Sequence, residues 1–287
     1  MPADLKPKFS QPKKTTDAPK VSVIMPAFNT QSFIAAAIES ILRQSFIDFE
    51  LIIINDFSCD QTGAIIDHYQ AKDKRIVSVK NRQNLGIAAS RNKGLELARA
   101  RYIAWQDADD ISLPRRLQLQ YQFLEKHPEI AIVGGYLEFF NEKGSLNVRR
   151  YAADDATLRR RIFRFSPVAQ PSAMIRKSCL NEVGPYDLRY PPAEDLDMSF
   201  RLGMRHRFAN INQVLLRYRQ HNNSATFFKL ATIEKNTIEI RKRYFKHPAY
   251  NATFFDRLYN FLQQFSIYIV PPKIKIHLFN LLRNSRH

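Results

Sequence analysis

Three carboxylates close the stretch Tyr102-Ile103-Ala104-Trp105-Gln106-Asp107-Ala108-Asp109-Asp110. Its apolar start, rich in Tyr, Ile and Trp, predicts a short buried strand. Acids at the carboxyl end of such a strand stand where open α/β sheets bind their ligands. Asp107 and Asp109, two apart in a turn, can converge on one cation, and hard oxygen donors favour magnesium or manganese over zinc or copper. The spacing therefore points to a divalent-metal clamp on an anionic substrate. The competing reading is structural: the acids serve as turn and helix-capping residues before the helix entered at Pro114.

The elements that must position these acids follow a regular alternation. Lys20 to Pro26 reads as a β-branched strand, and Phe33, Ile34, Ala37, Ile38, Ile41 and Leu42 then repeat at helical spacing. Glu50 to Asn55 is apolar enough for a strand covered on both faces, and a helix follows over Asp60 to Ala71. Arg75 to Lys80 predicts a third strand, Gly86 to Ala100 a third helix and Tyr102 to Gln106 a fourth strand. This alternation predicts an α/β fold, a doubly wound and mainly parallel sheet with helices on both faces. Beyond it come a helix through Leu117, Tyr121 and Leu124, strands at Ile130 to Phe140 and Ser172 to Arg176, a strand or hairpin arm at Phe208 to Arg219, and helices at Asp154 to Arg164 and Asp195 to Met204. The second half is expected to add walls to the sheet.

Four strand ends carry polar groups to one sheet edge: Pro26-Ala27-Phe28-Asn29, Asn55-Asp56-Phe57-Ser58-Cys59-Asp60, Asn81-Arg82-Gln83-Asn84-Leu85-Gly86, and the acids. Together they outline a cleft for a ligand with a base, a sugar and phosphates.

Composition narrows the class of protein. With 287 residues, 45% hydrophobic and 12% aromatic, the chain is long enough to bury a sizeable core, and disorder or low complexity is excluded for most of it. Cys59 and Cys179 form no Cys-x-x-Cys pair, so neither a disulfide framework nor a zinc site is indicated, and a reducing compartment fits. The formal charge of +17 calls for an anionic partner. No stretch approaches the roughly 18 to 20 apolar residues of a membrane span. Residues 1–19, rich in Lys and Pro and lacking an apolar signal region, are expected to be a disordered basic tail. Residues 227–287 are expected to form an amphipathic basic helical extension, with Phe254, Phe255, Leu258, Phe261, Leu262 and Phe265 on one face and Lys273, Lys275, Arg283 and Arg286 after the prolines. Such a segment can lie on an anionic membrane surface or pack its apolar face on the body of the protein.

The motifs V-S-V-I-M-P-A-F-N, I-N-D-F-S-C-D-Q-T, N-L-G-I-A-A-S-R-N-K-G, D-A-D-D, V-G-P-Y-D and A-E-D-L-D-M-S-F-R-L run in this order from Val21 to Leu202, and the matching region extends roughly to Ser224. As a set they resemble family 2 glycosyltransferases of the GT-A fold, which use nucleotide-sugar donors. The resemblance covers residues 20–226 as the catalytic domain. It implies that Pro26, Ala27 and Asn29 line the nucleotide and that Asp56 accepts a hydrogen bond from the base, an imide N–H such as that of uracil suiting an acceptor-only carboxylate. Arg82 and Arg91 are placed near the nucleotide, with a surface or structural ion pair as the alternative for each. Asp107 is implied beside the ribose and Asp109 on a Mn2+ or Mg2+ ion bridging the phosphates, with His221 on that metal or the diphosphate. Asp110 reads as a turn or capping residue. Asp195 is implied as the catalytic base that takes the acceptor's proton, and Glu194 as a neighbour positioning acceptor or loop. By position alone Asp195 would also make a good N-cap.

The resemblance implies an inverting, metal-dependent hexosyl- or hexosaminyltransferase. It moves a single sugar, with UDP as the expected carrier, to a hydroxyl of a glycan or lipid-linked saccharide in cell-surface polysaccharide biosynthesis, such as lipopolysaccharide O-antigen or capsule. The expected location is cytoplasmic, peripheral at the inner face of the membrane. Two departures stand out: Phe57 occupies a loop position where the family usually has Gly, and Gln106 replaces an apolar residue. The Gln-x-x-Arg-Trp signature of processive synthases is absent. A sugar-1-phosphate nucleotidyltransferase is the rival enzyme, but Pro26-Ala27-Phe28-Asn29 offers no Gly-rich phosphate loop with Arg. A nucleic-acid or anionic-surface binding protein is the non-enzymatic rival. It would want basic and aromatic residues interleaved on one surface, whereas these loops are acidic, and no nucleic acid is expected as a partner.

Overall fold

A computed structural model describes residues 18–221 and 229–270. Residues 1–17 of the basic tail, Asn222 to Ser224, and Lys273, Lys275, Arg283 and Arg286 lie outside the described residues. The first half alternates as the sequence predicts: β1 (Val21–Ala27), α1 (Ile34–Leu42), β2 (Phe49–Asn55), α2 (Thr62–Lys72), β3 (Ile76–Lys80), α3 (Ile87–Leu97) and β4 (Tyr102–Trp105). There follow β5 (Ile111–Ser112), α4 (Arg116–Lys126), β6 (Ile130–Asn141), β7 (Gly144–Arg149), α5 (Asp155–Arg161), β8 (Met174–Arg176), α6 (Lys177–Val183), α7 (Glu194–Gly203), β9 (Arg207–Arg219), α8 (Leu230–Tyr244) and α9 (Phe254–Ile269). The short β5, β7 and α6 were not expected from the hydrophobic pattern.

The strands form one sheet in the order β3-β2-β1-β4-β8-β6-β9-β5, with β7 paired to β6. β1, β2, β3 and β4 are parallel. β8 is antiparallel to both β4 and β6, and β6 is parallel to β9, so β9 runs in the direction of β1. The carboxyl ends of β1 to β4 and of β9 therefore reach the same edge of the sheet. That edge gathers Ala27, Asn55, Trp105 and Arg219 from distant parts of the chain.

Period-two alternation sorts the strand residues onto two cores, because successive side chains point to opposite faces. Val21, Val23, Met25, Leu51 and Ile53 meet Ile34, Ile38 and Ile41 of α1 and Leu117 and Leu124 of α4. Ile24, Ile52, Ile54, Ile103 and Trp105 meet Ala88 and Leu95 of α3 and Leu196 and Phe200 of α7. Helices thus cover both faces, as parallel strands require. Gly94 lets α3 lie close on β1: a Cβ there would come within 2.4 Å of the Ile24 Cγ2 methyl. α8 joins the second core through Ile240 and Tyr244, whose ring stacks on Phe200 with centroids 4.6 Å apart.

Candidate active site

The site is built from β4 outward. Beyond Trp105 the chain turns, with the Asp110 N–H donating to the Asp107 carbonyl at 3.2 Å. Gln106, fully buried, fixes the turn from beneath: its Nε2 donates to the carbonyls of Asp107 (3.0 Å) and Asp110 (2.9 Å). Its Oε1 accepts from the Ser112 hydroxyl and from Arg116 Nη1. Arg116 is also fully buried and donates to the Ser112 hydroxyl and the Trp105 carbonyl. Burial lowers this guanidinium to about 9, against the charges of Asp110 and Asp107. The two polar side chains thus hold the main chain of the acidic turn while its carboxylates point elsewhere.

Each acid has a different fate. Asp110 turns inward and its Oδ1 accepts from the Arg219 N–H of β9 at 2.9 Å. It caps no helix, since α4 starts six residues later with no side-chain cap. Burial, followed by the charges of Asp109 and Asp107, raises its carboxyl well above the usual range. Asp109 lies 2.9 Å from His221 Nε2, and its carbonyl accepts from Arg219 Nε at 2.8 Å. The end of β9 therefore carries His221 to the acidic turn across the same edge of the sheet. Asp107 is 3.4 Å from Arg91 Nη2.

Arg91 of α3 joins this turn to α7. Its side chain is buried, and Nη1 meets Glu194 Oε1 while Nη2 faces Asp107. The guanidinium carbon stands 5.7 and 5.8 Å from the ring centroids of Trp105 and Tyr186. Burial alone would lower its pKa, but the charges of Glu194 and Asp107 outweigh that and hold it above its ordinary value. Arg91 thus makes ion pairs with carboxylates from two other elements. The neighbouring Asn92 makes reciprocal bonds with the backbone of Tyr186, Nδ2 to the carbonyl at 2.9 Å and Oδ1 from the N–H at 2.8 Å.

α7 begins at Glu194, with Ala193 at the N-cap and no side-chain cap bond. Asp195 is therefore not the N-cap. It sits in the first helical turn, partly exposed, with Oδ1 accepting from the Leu196 N–H at 2.9 Å. Burial raises its carboxyl above the ordinary value, with Arg91 acting in opposition.

On the other flank, the loops after β1 and β2 interlock. The Asn29 N–H donates to the Ser58 hydroxyl and Asn29 Oδ1 accepts from the Cys59 N–H, both at 3.0 Å. The Asp56 N–H donates to the Ala27 carbonyl at 2.8 Å. Asp56 is buried, and its oxygens accept from Asn81 Nδ2 (2.7 Å), the Leu85 N–H (2.9 Å) and the Gly86 N–H (2.8 Å). A carboxylate has about four acceptor sites, and three of these are taken within the chain. Pro26 is half-buried at the end of β1, and Arg82 stands exposed after β3, without contact to the acidic turn among the described residues. Asn29 and Phe57 have φ of 50° and 64°. Phe57 therefore takes the left-handed conformation that glycine adopts without strain, with its ring half-exposed.

Sequence reasoning noted Gln106 only as a departure, without its role in the turn, and missed Arg116, Asn92 and Arg219. Arg116 and Gln120 could have been noticed as polar residues interrupting the face of α4 that also carries Leu117 and Leu124, both being fully buried. Arg219 has no comparable signal, because its role comes from strand pairing.

Arg91→Met leaves Glu194 buried without its partner and should cost about 3–5 kcal/mol in denaturant unfolding; adding Glu194→Leu should restore most of that stability. A single variant as stable as the parent would refute the bridge. Phe57→Ala and Phe57→Gly remove the same ring, but only glycine adopts positive φ without strain, so thermal unfolding should find the glycine variant more stable by about 1 kcal/mol.

Comparison with known proteins agrees with this architecture. Residues 22–184 match the sequence profile of glycosyl transferase family 2. An uncharacterized glycosyltransferase of Methanocaldococcus jannaschii, MJ1057, is 35% identical over 213 residues, covering 72% of each chain. One from Haemophilus influenzae is 31% identical over 220 residues, 73% of this chain and 68% of its own. Among solved structures, Staphylococcus aureus TarS 1–349 in complex with UDP-GlcNAc superposes with a TM-score of 0.64 at 20% identity, over 77% of this chain and 66% of that one. The mannosyltransferase PcManGT of Pyrobaculum calidifontis, in complex with GDP-Man and Mn2+, gives 0.63 at 14% identity over 94% of this chain and 74% of its own. The fold is GT-A. With the profile covering more than half of its length, the chain belongs to glycosyl transferase family 2.

Proposed function

We propose that this glycosyltransferase moves one sugar from a UDP-linked donor to a hydroxyl of a glycan or lipid-linked saccharide, with inversion at the anomeric carbon. The observation that carries the reading is the Arg91 bridge. It ties the acidic turn at Asp107 to Glu194, beside Asp195, and so brings a donor-side and an acceptor-side carboxylate to one mouth. The nucleotide lies against Pro26, Ala27 and Asn29, with the base read by the remaining acceptor site of Asp56, the ribose beside Asp107 and Arg82 at the rim. UDP-GlcNAc and GDP-Man in the two solved relatives support a nucleotide-sugar donor.

The donor set suits a hard divalent ion, Mn2+ or Mg2+. Asp109 and His221 are adjacent, and the described residues contain no group of three or more His, Cys, Asp or Glu side chains able to hold a metal alone. Asp109 and His221 would hold such an ion, its other positions being open to oxygen donors from outside the chain. When bound, it neutralises charge on the departing nucleoside diphosphate. Asp195 takes the proton of the acceptor hydroxyl as that oxygen bonds to the anomeric carbon and the bond to the diphosphate breaks. Glu194, buried and tied to Arg91, orients the start of α7. The acceptor belongs to cell-surface polysaccharide synthesis, with the enzyme working at the inner face of the membrane. The basic C-terminal segment supports that placement.

Asp195→Asn should lower kcat by about 10² to 10⁴ while leaving manganese-enhanced donor binding intact, whereas Asp109→Ala should lose both. Asp195→Asn turnover equal to the parent's would sink the assignment of the base. Because burial raises Asp195 and the reaction needs its ionised form, kcat/KM should fall as pH drops through a limb above the roughly 3.9 of a solvated aspartate. That limb should vanish from the residual activity of Asp195→Asn.

A further inference from the structure

Helix α9 is mounted inside out. A surface helix ordinarily turns its apolar stripe to the core and its polar face to water. Here Asp256 and Asn260 are 2% and 1% exposed, while Phe254 and Ile269 are 73% and 75% exposed. Phe255, Phe261, Leu262 and Phe265 are exposed as well, so the apolar residues recur every three to four positions along one outward stripe.

This orientation is fixed by polar contacts on the inner side. Asp256 pairs with Arg164 at 2.8 Å and closes a capping box with Thr253. Gln263 Oε1 accepts from Arg241 Nη1 at 2.7 Å, and Gln264 Oε1 accepts from Lys242 Nζ at 2.9 Å. Rotating the stripe inward would break these bonds and strand the buried Arg241 and Asp256. Among the described residues nothing covers the outward stripe, which suits an apolar medium. The charge of the described segment states which one: residues 229–270 contain seven Lys or Arg against three Asp or Glu. Among the described residues no helix is long and apolar enough to cross a membrane, and α9 has 16 residues. Such a helix lies in the interface plane and is drawn to negative lipid by its cationic surroundings.

The geometry points to α9 as a docking surface for an anionic bilayer, with Phe254, Phe255, Phe261, Leu262, Phe265 and Ile269 seated among the acyl chains. This deepens the reading above, from which it takes only the expectation of a membrane-borne acceptor. The test needs neither donor nor acceptor, so it fails or holds independently of Asp195.

The full chain is sedimented with vesicles of phosphatidylcholine alone and of phosphatidylcholine mixed with phosphatidylglycerol. Binding to the mixed vesicles, weakened by added salt, is expected. The triple variant Phe254→Ser, Phe261→Ser and Phe265→Ser should lose at least about tenfold in partition, with an unchanged circular dichroism spectrum and thermal midpoint showing that it folds. Undiminished binding by that variant, or equal salt-independent binding to both vesicles, overturns the proposal. So does a parent chain that ignores both vesicles. If that parent is a dimer which the triple variant splits, the occupant is a second copy; if deleting residues 271–287 brings on binding, the occupant is that segment.

Discussion

One buried guanidinium holds this site in register. Arg91 sits behind the sheet edge with carboxylates from two other parts of the chain against it, Asp107 from the turn after β4 and Glu194 from the start of α7. Removing such a cation from water costs several kcal/mol unless it is well paired. The pairing therefore makes the positions of α3, the acidic turn and α7 interdependent. Around it, Asn92 fastens the Tyr186 backbone, and the missing side chain at Gly94 lets the helix approach β1 closely enough for both neighbours to reach. One motif on α3 thus joins the first half of the chain to the second.

The three acids after β4 divide their roles because different neighbours claim them. Gln106 and Arg116 hold the turn by its main chain from below, so the side chains need not support their own loop. Asp110 is drawn inward to β9. Asp107 meets Arg91, and Asp109 meets His221 on the open side. Asp110 alone of the three is fully buried, and burial with the crowding of Asp109 and Asp107 holds its carboxyl well above the usual range, Arg116 acting in opposition.

Much of the scaffold was legible in the sequence because the forces that make it are local. Alternating apolar runs and helical repeats specify two-faced strands and amphipathic helices, and those place the strand ends at one edge. The acids at Asp107 and Asp109 were readable for the same reason. What pairs across the sheet was not. That Arg219 reaches the acidic turn depends on β9 running beside β6 and β5, and no periodicity within β9 encodes its neighbours. Arg91 could be placed by its motif but not oriented, since its carboxylate partners become neighbours only once α7 has packed. Asp195 looked like a cap because a residue at a helix start resembles one until the backbone shows that the helix already began at Glu194.

The rim formed by the ends of β1 and β2 has a consequence for recognition. Asn29, Ser58 and Cys59 are bonded to one another, the Thr30 N–H donates to the Thr62 hydroxyl, and the Gln31 N–H donates to Asp60. These loops carry their own internal lacing and are already shaped when a ligand arrives. A pocket wall of this kind loses little conformational freedom on complex formation, which favours affinity through preorganisation. It also has little room to adapt, so a ligand docking there would have to fit the existing contour and could not remould it.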